Sequence, residues 1–290
     1  MTLSKNQNAI ITIAVYARFM WTTGLFIKKT TACSPHCWGN RLIPRCCMAA
    51  VSLAAAAHVV AQSVALLPFS ASDVGSPPNA WRIAGLPGQG TSAKPVAPIT
   101  RFDITSVDGQ KVLRMQTDGS YGNLVHALPG VNLGEKTLLR WRWRLERPLT
   151  NADLRQRRSD DSPLKVCLLF DLPTAKLSFV DRSVLSLARS VSGEKLPSAT
   201  LCYVWDHALP AGTLLNNAYT SRVRLLVLDS GEKRLGQWIS HERNVAADFK
   251  QAFGGESESL PALDGVLVGA DSDNAGGQSA AFVGDITLGP

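Results

Sequence analysis

Residues 138–145, with the sequence LLRWRWRL, alternate strictly between apolar and basic side chains. One side of this segment carries the apolar residues Leu139, Trp141, Trp143 and Leu145. The other side carries the three arginines Arg140, Arg142 and Arg144. Successive side chains of a β-strand point to opposite faces, so a period of two predicts a strand with one buried face and one polar face.

Seven further segments have the apolar runs, bounded by Gly, Pro, Asn or Asp, that are typical of strands. They are residues 111–117, 123–128, 165–170, 201–205, 222–228, 265–270 and 280–288. Many strands at short spacing, with few helices and turn-rich joins, favour two packed sheets. The sequence therefore predicts a mostly β fold, an antiparallel β-sandwich of jelly-roll-like type with one or two short helical insertions.

The two predicted helices have different signals. Residues 174–190 place Leu177, Val180, Val184 and Leu187 at intervals of three or four, which is the helical period. Residues 245–253 follow Asn244, a good N-cap residue, and precede Gly254 and Gly255, which end a helix.

The net charge of +7, from 30 basic and 23 acidic residues, belongs to one end of the chain. Residues 1–61 hold six basic residues and no acid, which leaves residues 62–290 with 24 basic and 23 acidic residues. A folded body with a net charge near +1 gives no support for nucleic-acid binding.

The first 61 residues resemble an export leader. Arg41 and Arg45 form a positive region before the apolar residues 48–60, and Ala61 offers a small residue for cleavage. This largely apolar region of 13 residues is shorter than the roughly 20 that a membrane-spanning helix needs. We therefore predict a signal peptide in residues 1–61 with an over-extended start, and a single domain in residues 62–290. The protein is expected in the periplasm or outside the cell, with membrane contact only through an uncleaved leader.

Two cysteines, Cys167 and Cys202, follow the predicted leader, and both lie in strand-like segments. In an oxidising compartment they could form a disulfide. Sequence alone does not bring their Cα atoms within bonding range, so the pairing stays open.

Residues 271–276, with the sequence DSDNAG, begin like an EF-hand calcium loop. The pattern then fails, because Ala275 takes a ligand position and Phe282 stands where a bidentate acid belongs. A polar hairpin turn, in which Asp and Asn bond their own backbone, is the alternative. A different calcium site, formed by Asp271 and Asp273 with Asp285, also stays open.

Common catalytic motifs are absent: the sequence has no G-x-S-x-G, H-E-x-x-H, P-loop or G-x-G-x-x-G. Asp160, Asp161 and Glu242 are candidate catalytic carboxylates for acid and base work on a glycosidic bond, with Asp271 and Asp273 as further members. Whether any two lie at a suitable separation depends on the fold.

Acids, amides and aromatic residues are dense near the C-terminus, which is typical of a sugar-binding surface. The candidate ligand-binding residues are Trp205, Trp238, Glu242, Arg243, Asn244, Asp271, Asp273 and Asn274. The arginines of residues 138–145 could in addition face an acidic glycan or a lipid headgroup, or simply solvent. The favoured prediction is an exported, non-enzymatic protein that binds a carbohydrate or envelope glycan.

Two alternatives remain from the residues alone. One is a glycan-cleaving hydrolase that uses paired carboxylates. The other is a structural or partner-binding envelope protein in which Arg243, Asp248 and Asp273 hold loops by buried hydrogen bonds.

The order of these pieces resembles the bacterial family called domain of unknown function 3047. The shared pieces are the Trp-Arg-Trp-Arg strand, Asp160-Asp161, Tyr203-x-Trp205, Trp238-x3-Glu242-Arg243-Asn244-Val245-x2-Asp248-Phe249, Phe253-Gly254 and Asp271-x-Asp273-Asn274. Lys165 and Ala275 depart from the pattern, which has Arg and a hydroxyl residue there. The resemblance implies a compact β-sandwich and export, and it supplies no substrate and no catalytic residues.

Overall fold

The computed structural model describes residues 64–84, 97–192 and 196–290. The predicted leader lies outside these residues. None of the helices in the described ranges is both long and apolar enough to span a bilayer.

One layer of the fold is a seven-stranded sheet. Its strands are β1 (Arg82–Ala84), β4 (Tyr121–Val131), β6 (Lys165–Phe170), β7 (Ala199–Asp206), β8 (Leu214–Asn216), β9 (Val223–Ser230) and β11 (Leu263–Asp271). Their order across the sheet is β1-β4-β11-β6-β7-β9-β8. All neighbours are antiparallel except β7 and β9, which run parallel.

The other layer is a six-stranded sheet. Its strands are β2 (Arg101–Val107), β3 (Gln110–Asp118), β5 (Leu138–Arg147), β10 (Ile239–Asn244), β12 (Gln278–Val283) and β13 (Thr287–Gly289). The order is β10-β5-β12-β3-β2, and β13 also pairs with β5. The predicted strand at residues 280–288 is therefore two strands, separated at Gly284–Ile286, where the chain leaves β12.

The main apolar core lies between the two sheets. On β5, the four predicted inward residues are buried, and Trp143 is 0% exposed. The ring of Trp141 lies 5.2 Å from that of Tyr203 on β7, across the space between the sheets. The alternation in residues 138–145 thus marks the buried face correctly, and the predicted β-sandwich is confirmed.

Two α-helices join the strands, α1 (Phe179–Ser192) and α2 (Val245–Phe253). Helix α2 has its predicted bounds, and the Asn244 side chain accepts a hydrogen bond from the Ala247 backbone N–H. A short 3-10 turn at Thr174–Lys176 precedes α1, so the predicted helix at residues 174–190 starts too early.

Helix α1 does not bury the apolar residues whose spacing predicts it. Val184 and Leu187 are 48% and 57% exposed, whereas Leu185 is 4% exposed and packs on the core with Ala188. The helix therefore carries apolar side chains on two sides, and spacing alone does not distinguish the side that faces the core.

A disulfide joins Cys167 to Cys202. The two residues lie opposite each other on β6 and β7. Their side chains belong to a second apolar cluster, separate from the main core, with Leu154, Val204 and Leu225. This cluster lies on the outer face of the seven-stranded sheet, because residues 166, 168 and 203 of the same strands belong to the core between the sheets.

Candidate functional site

Four aspartates gather where the start of β6 meets the end of β11. Asp160 and Asp161 precede β6, while Asp271 ends β11 and Asp273 follows it. Since these two strands are antiparallel neighbours, their opposite ends lie side by side. We call these four residues the carboxylate cluster. One carboxylate oxygen from each of Asp161, Asp271 and Asp273 lies within 4.8 Å of the other two.

Backbone and side-chain donors fix the two most buried acids of the cluster. Asp271 accepts hydrogen bonds from the Ser162 N–H at 2.7 Å and from Lys165 Nζ at 2.6 Å. Asp161, which is 1% exposed, accepts from the backbone N–H groups of Asn274 and Ala275. Residues 272–277 therefore wrap around Asp161 on their way from one sheet to the other. The prediction of a hairpin turn is wrong, because β11 and β12 belong to different sheets.

The other two acids have neutral side-chain donors or, at one buried oxygen, no donor. Asp160 accepts from the side-chain amides of Asn217 at 3.0 Å and Asn274 at 3.1 Å. Asp273 Oδ1 is buried and has no hydrogen-bond donor among the described residues. A buried carboxylate oxygen without a donor favours the neutral acid or a ligand at that atom.

Burial and mutual repulsion raise the pKa values of three of these carboxyl groups. Burial and then the charge of Asp271 raise the pKa of Asp160 to about 7 and that of Asp161 to about 6. Burial and the charges of Asp271 and Asp161 raise the pKa of Asp273 to about 7. Near neutral pH the cluster can therefore both hold and release protons.

The cluster includes two of the three residues predicted to bind calcium, Asp271 and Asp273. The third, Asp285, is not brought to them: it accepts hydrogen bonds from the Ser70 N–H at 2.9 Å and the Ser70 hydroxyl at 2.6 Å. Asp161 supplies the third carboxylate instead. A calcium site stays a prediction, now on Asp161, Asp271 and Asp273.

Glu242, the remaining catalytic candidate, lies at a different site. It is on β10 and accepts a hydrogen bond from Arg140 Nε at 2.6 Å on the outer face of the six-stranded sheet. There it borders an open groove of about 700 Å³. We call this the basic groove; its main polar lining residues are Lys111, Arg140, Arg142, Ser240, Glu242 and Asp285.

Trp238 lies beside the basic groove and is held by the β2–β3 hairpin. The two-residue turn of this hairpin, Asp108-Gly109, has positive φ at both positions, a conformation that matches the twist of the paired strands. The Trp238 indole N–H donates to Asp108 at 3.1 Å. The guanidinium carbon of Arg142 lies 4.5 Å from the centre of a Trp238 ring. An aromatic face and a planar cation thus meet at the groove edge.

Two predicted ligand-binding residues of the Glu-Arg-Asn segment have internal partners instead. Arg243 donates through Nε and Nη2 to the buried Asp248, and the Tyr203 hydroxyl donates to the same carboxylate at 2.8 Å. Asn244 caps α2. These contacts hold α2 against the sheets, as the structural alternative predicts for Arg243 and Asp248.

Trp205 is also an internal residue. It is 1% exposed in the core between the sheets, and its indole N–H donates to the Gly231 carbonyl at 3.0 Å. Its predicted place beneath a sugar ring is incompatible with this burial. Of the two candidate stacking residues, only Trp238 lies at the surface.

A second buried network is centred on Asp229, and no pattern in the sequence predicts it. This residue is 0% exposed and accepts from Trp143 Nε1 at 2.6 Å, His241 Nε2 at 2.8 Å and Arg234. Burial lowers the pKa of His241 to about 4, helped by the charges of Arg234 and Arg243. The His241 imidazole is therefore uncharged near pH 7. Its contact with Asp229 is a hydrogen bond from an uncharged ring, although the distance of 2.8 Å would also suit an ion pair.

A family model described as "Protein of unknown function (DUF3047)" matches residues 81–287. No curated protein matches the sequence. Among solved structures, one similar chain is the family 11 carbohydrate-binding module of the cellulase Lic26A-Cel5E of Clostridium thermocellum. The identity is 9% and the TM-score 0.36, over 78% of this chain and 94% of that one.

Another similar chain is the xyloglucanase domain of NopAA, a type three effector from Sinorhizobium fredii. The identity is 9% and the TM-score 0.38, over 68% of this chain and 89% of that one. Both likenesses are too distant to indicate a ligand or a reaction.

Proposed function

The chain belongs to the domain of unknown function 3047 family, and from this premise we propose that it is an exported protein that binds a glycan in its basic groove. The observation that carries the proposal is the groove itself. Its volume of about 700 Å³ lies in the usual range of ligand sites. Its walls offer donors from Arg140 and Arg142 and acceptors from Glu242, beside the ring of Trp238.

Sugars suit such a surface because each ring presents several hydroxyl groups along its edge and C–H groups on its face. Planar arginine and carboxylate groups make paired hydrogen bonds to neighbouring hydroxyls. The Trp238 ring and the Arg142 guanidinium stacked on it form a planar surface at the groove edge. The export part of the proposal rests on the leader predicted before Ala61, and the Cys167–Cys202 disulfide suits an oxidising compartment.

The test is affinity electrophoresis of the purified protein through gels that contain dissolved polysaccharides, neutral and acidic. We expect retardation by at least one polysaccharide, and a loss of that retardation in Trp238→Ala and Arg140→Gln. Asp273→Asn, which alters the carboxylate cluster and leaves the groove intact, is the control and should migrate like the native protein. Retardation of the native protein by none of the polysaccharides would contradict the proposal.

A second candidate function is glycan hydrolysis at the carboxylate cluster. It is favoured by one observation: four of the five predicted catalytic carboxylates meet there, and burial raises the pKa of Asp160 and of Asp273 to about 7. A neutral carboxyl group could protonate the leaving oxygen while Asp271, which is paired with Lys165, acts on the sugar. One carboxylate oxygen of Asp271 and one of Asp273 lie within 4.8 Å of each other, so these two acids are close neighbours.

Release of reducing ends from envelope polysaccharides tests this second function. Hydrolysis predicts a loss of turnover in Asp160→Asn and Asp271→Asn with the fold retained, and no loss in Glu242→Gln, because Glu242 lies in the basic groove. No reducing ends from the native protein, or full turnover in both aspartate variants, would exclude it.

A further inference from the structure

We infer that the ligand of the basic groove is an acidic glycan, a polysaccharide that carries uronate carboxylates, and that Arg142 is its main anchor. This inference rests on the proposed function and names the class of glycan. It is carried by the charge balance of the groove, by the way Arg142 is held, and by the chemistry of the groove walls.

The cations of the groove are only partly neutralised. Arg140 pairs with Glu242, and the Asp285 carboxylate is occupied by two donors of Ser70. Arg142 donates to the neutral Gln110 side-chain oxygen, and Lys111 Nζ donates to the Ser72 backbone carbonyl at 3.0 Å. Two positive charges in the groove therefore have no carboxylate partner within the described part of the chain.

Arg142 is held in place before any ligand arrives. Its guanidinium lies over Trp238, and its side chain crosses the backbone of Gly284. A Cβ atom at Gly284 would lie 2.9 Å from Arg142 Cγ and 3.0 Å from Arg142 Nε. The absence of a side chain at this position lets the arginine lie flat against the sheet. A guanidinium fixed in this way loses little entropy on binding and matches the two oxygens of a carboxylate.

The groove walls favour a glycan over an anionic membrane. A lipid surface is bound best by exposed apolar side chains together with cations. None of the exposed large hydrophobic residues in the described ranges lines this groove. Glu242 and Ser240 offer acceptors that suit sugar hydroxyls, and Glu242 would repel a dense array of phosphates. A polymer with spaced carboxylates and many hydroxyl groups fits both features.

The experiment compares polygalacturonate with its fully methyl-esterified form, because the two polymers share one sugar backbone and only the first carries ionised carboxylates. Binding to the full-length protein is measured by titration calorimetry at low and at physiological salt. We expect binding of polygalacturonate at least about tenfold tighter than binding of the ester, as charge-assisted hydrogen bonds are lost in the ester. The affinity should also fall as salt rises.

Two variants test whether the affinity for polygalacturonate depends on Arg142. Arg142→Gln removes its charge, and Gly284→Ala displaces the side chain while leaving the charge, so each should weaken polygalacturonate binding at least about tenfold. Arg147→Gln is the matched control: it is on the same strand, donates to Gln278, and does not line the groove, so binding should not change. Circular dichroism melts of all three variants verify the fold.

The possible results distinguish the acidic-glycan inference from the proposed function of glycan binding. Equal binding of polygalacturonate and its ester, or binding of neutral polysaccharides alone, overturns the acidic-glycan inference and leaves the proposed function standing. Binding of no polysaccharide overturns both. Binding of phosphatidylglycerol vesicles without binding of polygalacturonate overturns the inference in favour of a membrane surface.

Discussion

At the scale of single residues, the same side-chain types serve two different purposes in this protein. Arg142 lines an open groove and has no carboxylate partner in the described residues, while Arg243 makes two hydrogen bonds to the buried Asp248. Both arginines lie in the aromatic- and charge-rich segments that the sequence marks as candidate sites. Only the partners of each arginine distinguish a binding residue from a structural one.

Arg243→Ala should lower the free energy of unfolding by about 1–3 kcal/mol, because it leaves the buried Asp248 carboxylate with only the Tyr203 hydroxyl as a partner. Urea denaturation measures the change. The control is Arg155→Ala, which removes an exposed ion pair with Asp153 and should change the free energy by less than about 0.5 kcal/mol. Equal effects of the two substitutions would show that Arg243 does not hold α2.

Asp273→Asn should change how stability depends on pH. The pKa of Asp273 is about 7 in the folded protein, against 3.8 in the unfolded chain, so the folded state binds this proton more tightly. The stability gained from that proton is fully present below pH 3.8 and is lost as pH rises through 7. Asparagine cannot ionise, so the variant should be more stable than the native protein at pH 8, with the difference shrinking toward pH 5.

Thermal melts of both proteins from pH 4 to 9 measure this difference. His241 has the opposite dependence, because its lowered pKa removes stability as pH falls from about 6.5 toward 4. That contribution is common to both proteins and cancels in their difference. Asp73→Asn, at an exposed position outside the carboxylate cluster, is the control. An offset for Asp273→Asn that does not change with pH would refute the raised pKa of Asp273.

At the scale of elements, helix α1 offers a matched pair of leucines two positions apart. Leu185→Ala should cost about 2–5 kcal/mol, because Leu185 is 4% exposed and its loss leaves a cavity. Leu187→Ala should change stability by less than about 0.5 kcal/mol, because Leu187 is 57% exposed. Chemical denaturation of the two variants gives both numbers. A large cost at Leu187 would mean that a further surface covers this side of the helix.

Strands with long apolar runs or strict alternation could be predicted from the sequence, whereas β10 could not. Strand β5 has strict alternation and was found with its correct buried face. Strand β10 (ISHERN) was missed, because two of its three inward side chains, His241 and Arg243, are polar and satisfied by buried carboxylates. The apolar period disappears where a strand buries a hydrogen-bond network in place of hydrocarbon.

The residues of the candidate sites could be predicted from the sequence, but the way in which they come together could not. Asp160-Asp161 and Asp271-x-Asp273 were each singled out by composition, but their meeting depends on β6 lying next to β11, which no local pattern indicates. The predicted position of Trp205 at a binding surface is wrong, because the polar residues beside it in the sequence lie on the opposite face of β7. Asp285 does not join the predicted calcium site, because its hydrogen-bond partner is Ser70, 215 positions away in the sequence.

At the scale of the whole molecule, the disulfide ties together two adjacent strands of the seven-stranded sheet. The double variant Cys167→Ser, Cys202→Ser should be less stable by about 2–4 kcal/mol, since the unfolded chain loses a cross-link between residues 35 positions apart. Thermal melts with and without reductant measure the effect. The native protein should lose stability in reductant and the double variant should not; an insensitive native protein would indicate that the bond is not formed.

Two polar sites are found in the described part of the chain, one on each sheet. The carboxylate cluster lies at the junction of β6 and β11 in the seven-stranded sheet. The basic groove lies along β5 and β10 in the six-stranded sheet. We propose glycan binding for the groove and proton chemistry for the cluster, so a ligand should affect the two sites differently.

The most direct test of this assignment is a nuclear magnetic resonance titration of the labelled protein with a uronate oligosaccharide, following the arginine Nε–H and tryptophan indole N–H signals. The sequence has seven tryptophans, and among those in the described residues Trp238 is the one whose ring lies under the Arg142 guanidinium. We predict shifts of the Arg142 and Trp238 signals with little change in the side-chain amides of Asn217 and Asn274. Shifts confined to Asn217 and Asn274 would place the ligand at the carboxylate cluster and contradict the account.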